Sequence, residues 1–242
     1  MKGVVLAGGL GTRLSPLTRV TNKHLLPVYD KPMIFYPIQT LVEAGVREIM
    51  LVTGGNSAGE FLRLFGNGEE FGLDEIHYTY QKREGGIAEA LALTRHFVGD
   101  DKVVVILGDN FIQGSIRGAV DAFRVQPEGA RIFLKEVTNP EDFGVAIVED
   151  GRVVQIIEKP KTPPTNLAVI GIYMYDNQVF DICRTLKPSA RGELEITDVN
   201  NEYIRRGTMQ YDVLEGWWAD CGSFEALLRS NLLVARERGV QI

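Results

Sequence analysis

Cysteine is scarce in this chain, with only Cys183 and Cys221 among 242 residues. That excludes a disulfide framework, and their spacing matches no thiolate metal pattern. Histidine is nearly as rare, and none of His24, His77 and His96 stands in a setting that suggests a Ser-His or Cys-His nucleophile. Positive charge is in deficit: 26 Lys and Arg face 32 Asp and Glu, a net charge of −6. A nucleic-acid surface needs a basic stripe, so no nucleic-acid partner is expected. A polyphosphate ligand would need a local cluster of cations and metal instead. Long apolar runs are missing too. Stretches such as Val103–Leu107 are far too short to cross a bilayer, so no membrane partner is expected. Met1-Lys2-Gly3-Val4 enters a strand at once and leaves no room for a signal peptide. Repeats, low-complexity tracts and long polar linkers are absent as well. The expected compartment is the cytoplasm.

What is present suits one α/β domain. The length is at the upper end for a single domain, and 45% hydrophobic residues supply a large core. Short β-branched strands are predicted at Gly3–Leu6, Glu48–Thr53, Ile76–Tyr80 and Val103–Leu107. Amphipathic helices are predicted at Met33–Ala44, Ser57–Phe65, Ile87–Phe97 and Ile116–Arg124. That alternation points to a parallel sheet with helical crossovers. The second half changes character. Gly144–Glu149 and Arg152–Glu158 read as a hairpin about Asp150-Gly151, followed by a proline-rich loop, Lys159–Pro164. Then come a strand at Ala168–Tyr175, helices near Gln178–Leu186 and Glu195–Arg206, a strand at Gln210–Leu214 and a last helix about Phe224–Arg238. Cys183 falls in an apolar helical stretch and is expected in the core. The fold class is therefore α/β, with a Rossmann-like, mixed but mainly parallel sheet flanked by helices.

The most informative stretch is Leu6-Ala7-Gly8-Gly9-Leu10-Gly11-Thr12-Arg13-Leu14-Ser15-Pro16. Its glycines leave backbone N–H groups uncovered, free to converge on an anion. Arg13 adds a cationic fork suited to phosphate oxygens. Lys23 follows in Asn22-Lys23-His24-Leu25-Leu26-Pro27. A strand, a bare glycine loop, Arg and then Lys describe a polyphosphate site with two cations. A Walker A loop would end in Gly-Lys-Ser/Thr, and a dinucleotide fingerprint needs a small residue at Leu14 and an acid ending the second strand. Neither is present.

Two carboxylates stand out. Asp109, in Leu107-Gly108-Asp109-Asn110, ends a strand at the edge where the glycine loop lies, a position suited to holding Mg²⁺. Its ordinary alternative is an Asx turn or helix cap. Asp220, in Trp217-Trp218-Ala219-Asp220-Cys221-Gly222, could complete such a site or belong to the cap of the last helix. Glu158-Lys159-Pro160 taken alone reads as a solvated charge pair entering a loop. Arg191 and Glu193 stand before Glu195-Ile196-Thr197-Asp198, where acids and Thr taken alone read as helix-start capping chemistry.

Taken in order, these motifs resemble the signature of the sugar-1-phosphate nucleotidyltransferases, and most closely their thymidylyltransferase branch. Lys31-Pro32-Met33-Ile34 and Gly192–Asp198 extend the likeness, which spans nearly the whole chain. The branch has Gly-Leu-Ala-Gln-Ala where this chain has Gly86-Ile87-Ala88-Glu89-Ala90, and the family usually has Thr in place of Cys221.

The resemblance implies a GT-A-like nucleotidyltransferase architecture in one domain, 1–242, with a nucleotide half at about 1–125 and a sugar-phosphate half at about 126–242. It implies dTTP and glucose 1-phosphate as partners, Mg²⁺ as cofactor, and is compatible with a homo-oligomer. Nucleotide binding would fall to Leu6, Gly8, Gly9, Gly11, Thr12, Arg13, Gln81, Gly86 and Asp109. The Gln81 amide, a donor and an acceptor together, suits the O4 and N3–H edge of thymine or uracil. The sugar phosphate would meet Gly144, Glu158, Lys159, Val169, Gly171, Tyr173, Arg191 and Glu193. Asp109 and Asp220 would hold the metal, and Arg13, Lys23 and Lys159 would carry the catalysis.

In the implied reaction a sugar-phosphate oxygen attacks the α-phosphorus of the triphosphate and pyrophosphate leaves. The nucleophile is already an anion, so the protein's task is neutralising charge and positioning. The same reaction with UTP, CTP or another sugar 1-phosphate is the nearest alternative. A non-catalytic regulatory subunit is a further one, against which Arg13, Lys23, Asp109 and Asp220 all argue. A nicotinamide oxidoreductase is a distant third. Longer family members carry further C-terminal helices that help form a regulatory nucleotide site. This chain stops soon after the helix near Phe224–Arg238, so weak or no feedback inhibition at a second site is expected.

Overall fold

Lys2–Ala7 (β1) forms the middle of the sheet, and the alternation of its side chains explains why. Val4 and Leu6 pack into one apolar layer, Val5 and Ala7 into the other. A strand apolar on both faces is stable only with helices on both sides. The computed structural model describes residues 1–55 and 57–241; Asn56 and Ile242, within the two expected halves, lie outside the described residues.

After β1 the chain makes the glycine loop, three single-turn helices over Thr12–Leu14, Leu17–Arg19 and Lys23–Leu25, and a ribbon of β2 (Pro27–Val28) and β3 (Lys31–Pro32). Three crossovers follow. Helix α1 (Phe35–Glu43) leads to β4 (Glu48–Gly54), α2 (Ala58–Phe65) to β5 (Glu75–Gln81), and α3 (Ile87–Ala92) with α4 (Arg95–Val98) to β6 (Val103–Leu107). Strands β4 and β6 flank β1 in parallel, with Leu6 opposite both Val52 and Leu107, and β5 lies beyond β4. The glycine loop and Asp109 thus leave the sheet at the same edge.

The rest of the chain adds β7 (Asn110–Ile112), α5 (Arg117–Val125), β8 (Ala130–Glu136), the hairpin β9 (Gly144–Glu149) and β10 (Arg152–Glu158), and β11 (Leu167–Tyr175). It closes with α6 (Val179–Thr185), α7 (Ile196–Arg205), β12 (Met209–Val213), β13 (Trp218–Asp220) and α8 (Phe224–Glu237). The sheet runs β10-β9-β11-β6-β1-β4-β5, with β8 on β11 and β12 on β8. The crossover strands and β12 pair in parallel, while β11 is antiparallel to β6, β8 and β9. Helices α3, α4, α6 and α7 cover one face, and α1, α2 and α5 the other. Cys183 is buried in the first of these layers, as expected.

Several elements differ from expectation. Ile87–Phe97 is two short helices, broken where the Thr94 hydroxyl donates to Leu91 O at 2.7 Å. Strand β8 was not anticipated, although Ile132, Phe133 and Leu134 are a buried apolar run. Strands β7 and β13 are three residues each and pair only with one another, too short to leave a periodic signal.

Candidate active site

The glycine loop is shaped by what it must approach. A Cβ on Gly8 would lie 2.6 Å from Gln81 Oε1, and one on Gly54 would lie 2.5 Å from Gly8 O, so the ends of β1, β4 and β5 can meet only through glycine. Gly11 has φ 66, and a Cβ there would meet Lys23 Cβ at 2.8 Å. Lys23 therefore runs beneath the loop. The loop already accepts an anionic oxygen: Leu10 N–H donates to the Glu84 carboxylate at 2.8 Å. No α-helix follows, only the single turn Thr12–Leu14, on which Thr12 and Arg13 are exposed. Leu6 is committed to the core, with its carbonyl accepting from Gly108 N–H at 2.8 Å.

Gln81, buried at the end of β5, donates from Nε2 to Gly86 O at 3.2 Å. Gly86, at φ 96, lies against the 193–195 segment, where a Cβ would come 2.5 Å from Leu194 O. Leu194 N–H donates to Gly85 O at 2.8 Å. These bonds tie the loop after β5 to the segment that carries Arg191 and Glu193.

At the same edge, β7 and β13 bring the two carboxylates together. Asp220 pairs with Asn110, and Cys221 N–H donates to Asp109 O at 3.0 Å. Asp109 takes Lys23 Nζ on Oδ2 at 2.5 Å and Asn110 Nδ2 on Oδ1 at 3.0 Å. Burial alone would favour its neutral form, but Lys23 outweighs that and holds the carboxyl well below the usual range. Burial likewise works against the charge on Lys23, and Asp109 and Asp220 more than offset it, so its pKa is raised. Asp220 accepts no side-chain hydrogen bond among the described residues. Its carboxyl is pushed up to about 7, by burial and then by Asp109. The capping alternative for Asp220 is excluded, since Ser223 caps α8, its Oγ accepting from Ala226 N–H at 3.2 Å. His24 is buried on Asn22 Oδ1 at 2.7 Å, and burial, then Lys23, lowers its pKa to about 3. It is neutral and packs where a Cβ on Gly108 would stand 2.7 Å from its ring.

Beside the carboxylates lies a cavity of about 180 Å³. Every residue assigned to the sugar phosphate lines it: Gly144, Glu158 and Lys159 from the hairpin, Val169, Gly171 and Tyr173 from β11, and Arg191 and Glu193 from the loop before α7. Asp220 shares that wall, whereas the glycine loop and Gln81 do not. Arg191 is tethered to Glu195 at 2.8 Å, Glu158 at 3.3 Å and Glu193 at 3.5 Å. The capping alternative fails here as well, because Glu195, the residue preceding α7, makes no side-chain cap bond and turns to Arg191 and Ser189. Lys159 has no carboxylate partner among the described residues and sits at φ 41, an uncommon backbone for a non-glycine residue.

The cavity also holds residues the sequence did not single out. Asn110 Oδ1 accepts from Gly171 N–H at 3.1 Å, at the point where β11 parts from β6, and from Trp218 Nε1 at 2.8 Å. Thr197 Oγ1 donates to Glu158 Oε2 at 2.5 Å. One available signal was that both tryptophans of the chain stand together just before Asp220.

A profile of the nucleotidyl transferase family matches residues 2–237. The chain belongs to the nucleotidyl transferase family. Among similar nucleotidyl transferases is a glucose-1-phosphate thymidylyltransferase of Neisseria meningitidis (serogroup A), 43% identical over 245 residues, covering 100% of this chain and 85% of the relative. A crystal structure from Bacillus anthracis, provisionally named for the same activity and solved with sucrose, superposes with a TM-score of 0.93 at 48% identity, covering 100% and 97% of the two chains. A UDP-glucose pyrophosphorylase with UDP-glucose bound is more distant, at 27% identity, a TM-score of 0.86 and coverage of 98% and 99%. These neighbours share the mixed, mainly parallel sheet flanked by helices. No helix among the described residues is long and apolar enough to cross a membrane.

Proposed function

We propose that this nucleotidyl transferase joins glucose 1-phosphate to the thymidylyl group of dTTP, yielding dTDP-glucose and pyrophosphate. The observation that carries the reading is the convergence of all the sugar-phosphate candidates on one cavity whose wall includes Asp220. An oxygen of the sugar phosphate forms a bond to the α-phosphorus, the bond from that phosphorus to the bridging oxygen breaks, and pyrophosphate departs. Because Arg191 is occupied by three glutamates, Lys159 is the cation available to aim the attacking phosphate. Arg191 then organises the acids that accept sugar hydroxyls. Arg13, whose guanidinium lies over Gly222, and Lys23 would take the triphosphate and the charge developing on pyrophosphate. The halves at about 1–125 and 126–242 would divide nucleotide from sugar phosphate.

The donor set fits a hard divalent cation. Asp109 and Asp220 are adjacent carboxylates, one of them without a hydrogen-bonding partner, and no third acid, His or Cys joins them among the described residues. Mg²⁺ is commonly held by one or two carboxylates, with phosphates and water completing its shell. Bound there, it would supply positive charge to the triphosphate.

A pyrophosphate-release panel of nucleoside triphosphates against sugar 1-phosphates, with and without Mg²⁺, tests the reading. The dTTP and glucose 1-phosphate pair should be fastest. UTP should follow within roughly 10–200-fold, the discrimination available from one methyl group. CTP should be poor, because its edge reverses the pattern that Gln81 offers. Release from no pair, or a strong preference for CTP, would overturn it.

A further inference from the structure

Asn200, on α7, lines the sugar cavity and is 1% exposed. Its Oδ1 accepts from the Tyr175 hydroxyl at 2.6 Å, while its Nδ2 has no partner among the described residues. Tyr175 is itself held between Tyr173 and Tyr203, with ring centroids 6.1 and 5.7 Å away. The amide is therefore anchored at one end. Whichever way it is turned, Tyr175 takes one polar atom, and the other is buried at the cavity wall without a partner among the described residues.

Two neighbouring polar side chains in that wall are already engaged. Glu158 holds Arg191 and Thr197, and Asn110 holds Gly171 and Trp218. An amide left unpaired in the interior forfeits on the order of 10–100-fold in an equilibrium constant. A ring hydroxyl both donates and accepts, so it can satisfy either end of the carboxamide. We propose that Asn200 is a specificity-determining residue whose amide hydrogen-bonds one ring hydroxyl of the sugar. This rests on the sugar 1-phosphate reading of the cavity given above.

The test compares wild type with Asn200→Leu on glucose 1-phosphate and its 2-, 3-, 4- and 6-deoxy analogues, by kcat/KM and by calorimetric binding. In the variant, KM for glucose 1-phosphate should rise about 10–100-fold while KM for dTTP stays within about 3-fold. The penalty for one deoxy position should shrink to near unity, and the penalties at the other positions should persist. A purely structural role would not single out one hydroxyl. If the single variant does not fold, Asn200→Leu with Tyr175→Phe removes both partners of the bond and should lose the same penalty. Equal deoxy penalties in wild type and variant would overturn the role of Asn200. Wild type that binds glucose 1-phosphate without turnover would instead count against the proposed reaction.

Discussion

Lys23 Nζ stands 2.5 Å from Asp109 Oδ2, with both side chains largely enclosed. The pair joins the underside of the glycine loop to the end of β6, so one ion pair links the phosphate loop to the carboxylate centre. Lys23→Met should leave Asp109 and Asp220 buried together without their cation. Breaking a buried pair from one side typically costs about 3–5 kcal/mol. Urea denaturation without metal should show that loss. Turnover should fall by at least the roughly 10²-fold expected for one electrostatic stabiliser.

Lys159→Met should raise KM for glucose 1-phosphate far more than KM for dTTP. Lys159 lines the cavity beside Asp220 and holds its backbone N–H on Phe143 O at 3.0 Å, whereas Arg13 is not in that lining and reaches over Gly222 from the glycine loop. Steady-state kinetics with each substrate varied in turn check this. Equal effects on both would remove the division of labour.

His24 gives a pH dependence. Its pKa falls from 6.5 to about 3 on folding, so between those values the unfolded chain binds the extra proton. Stability from this group is complete above pH 6.5 and is lost on acidification toward pH 3, by about 1.4 kcal/mol per pH unit. His24→Asn keeps a donor for Asn22 and removes the titration. Urea midpoints from pH 7 to 4 should fall less steeply for the variant than for wild type. Parallel slopes would contradict the account.

How much of this was legible in the sequence depends on the range of each signal. Val103–Leu107 and the hairpin strands were read to the residue, because apolar runs and an Asp150-Gly151 turn are local signals. The predicted residues that line the cavity beside Asp220 are singled out by the resemblance of ordered motifs to a family, not by periodicity. What stayed hidden is made by distant pairing. Strands β7 and β13 bring Asp109 to Asp220, and neither has a pattern of its own. Asn110 looked like part of a turn, and its bond to Gly171 N–H exists only once β11 has parted from β6. Glu195 and Thr197 carry the chemistry of a helix start, and only the tethered Arg191 and Glu158 show that they are used otherwise.

The central claim is that Asp109 and Asp220 form the transfer centre between the glycine loop and the sugar cavity. The most direct measurement is kcat of Asp220→Asn at saturating Mg²⁺, dTTP and glucose 1-phosphate, with folding checked by circular dichroism. The account predicts a folded protein whose kcat is lower by at least roughly 10²–10³-fold, the loss expected when one electrostatic stabiliser is removed. A folded variant with near-wild-type kcat would contradict it.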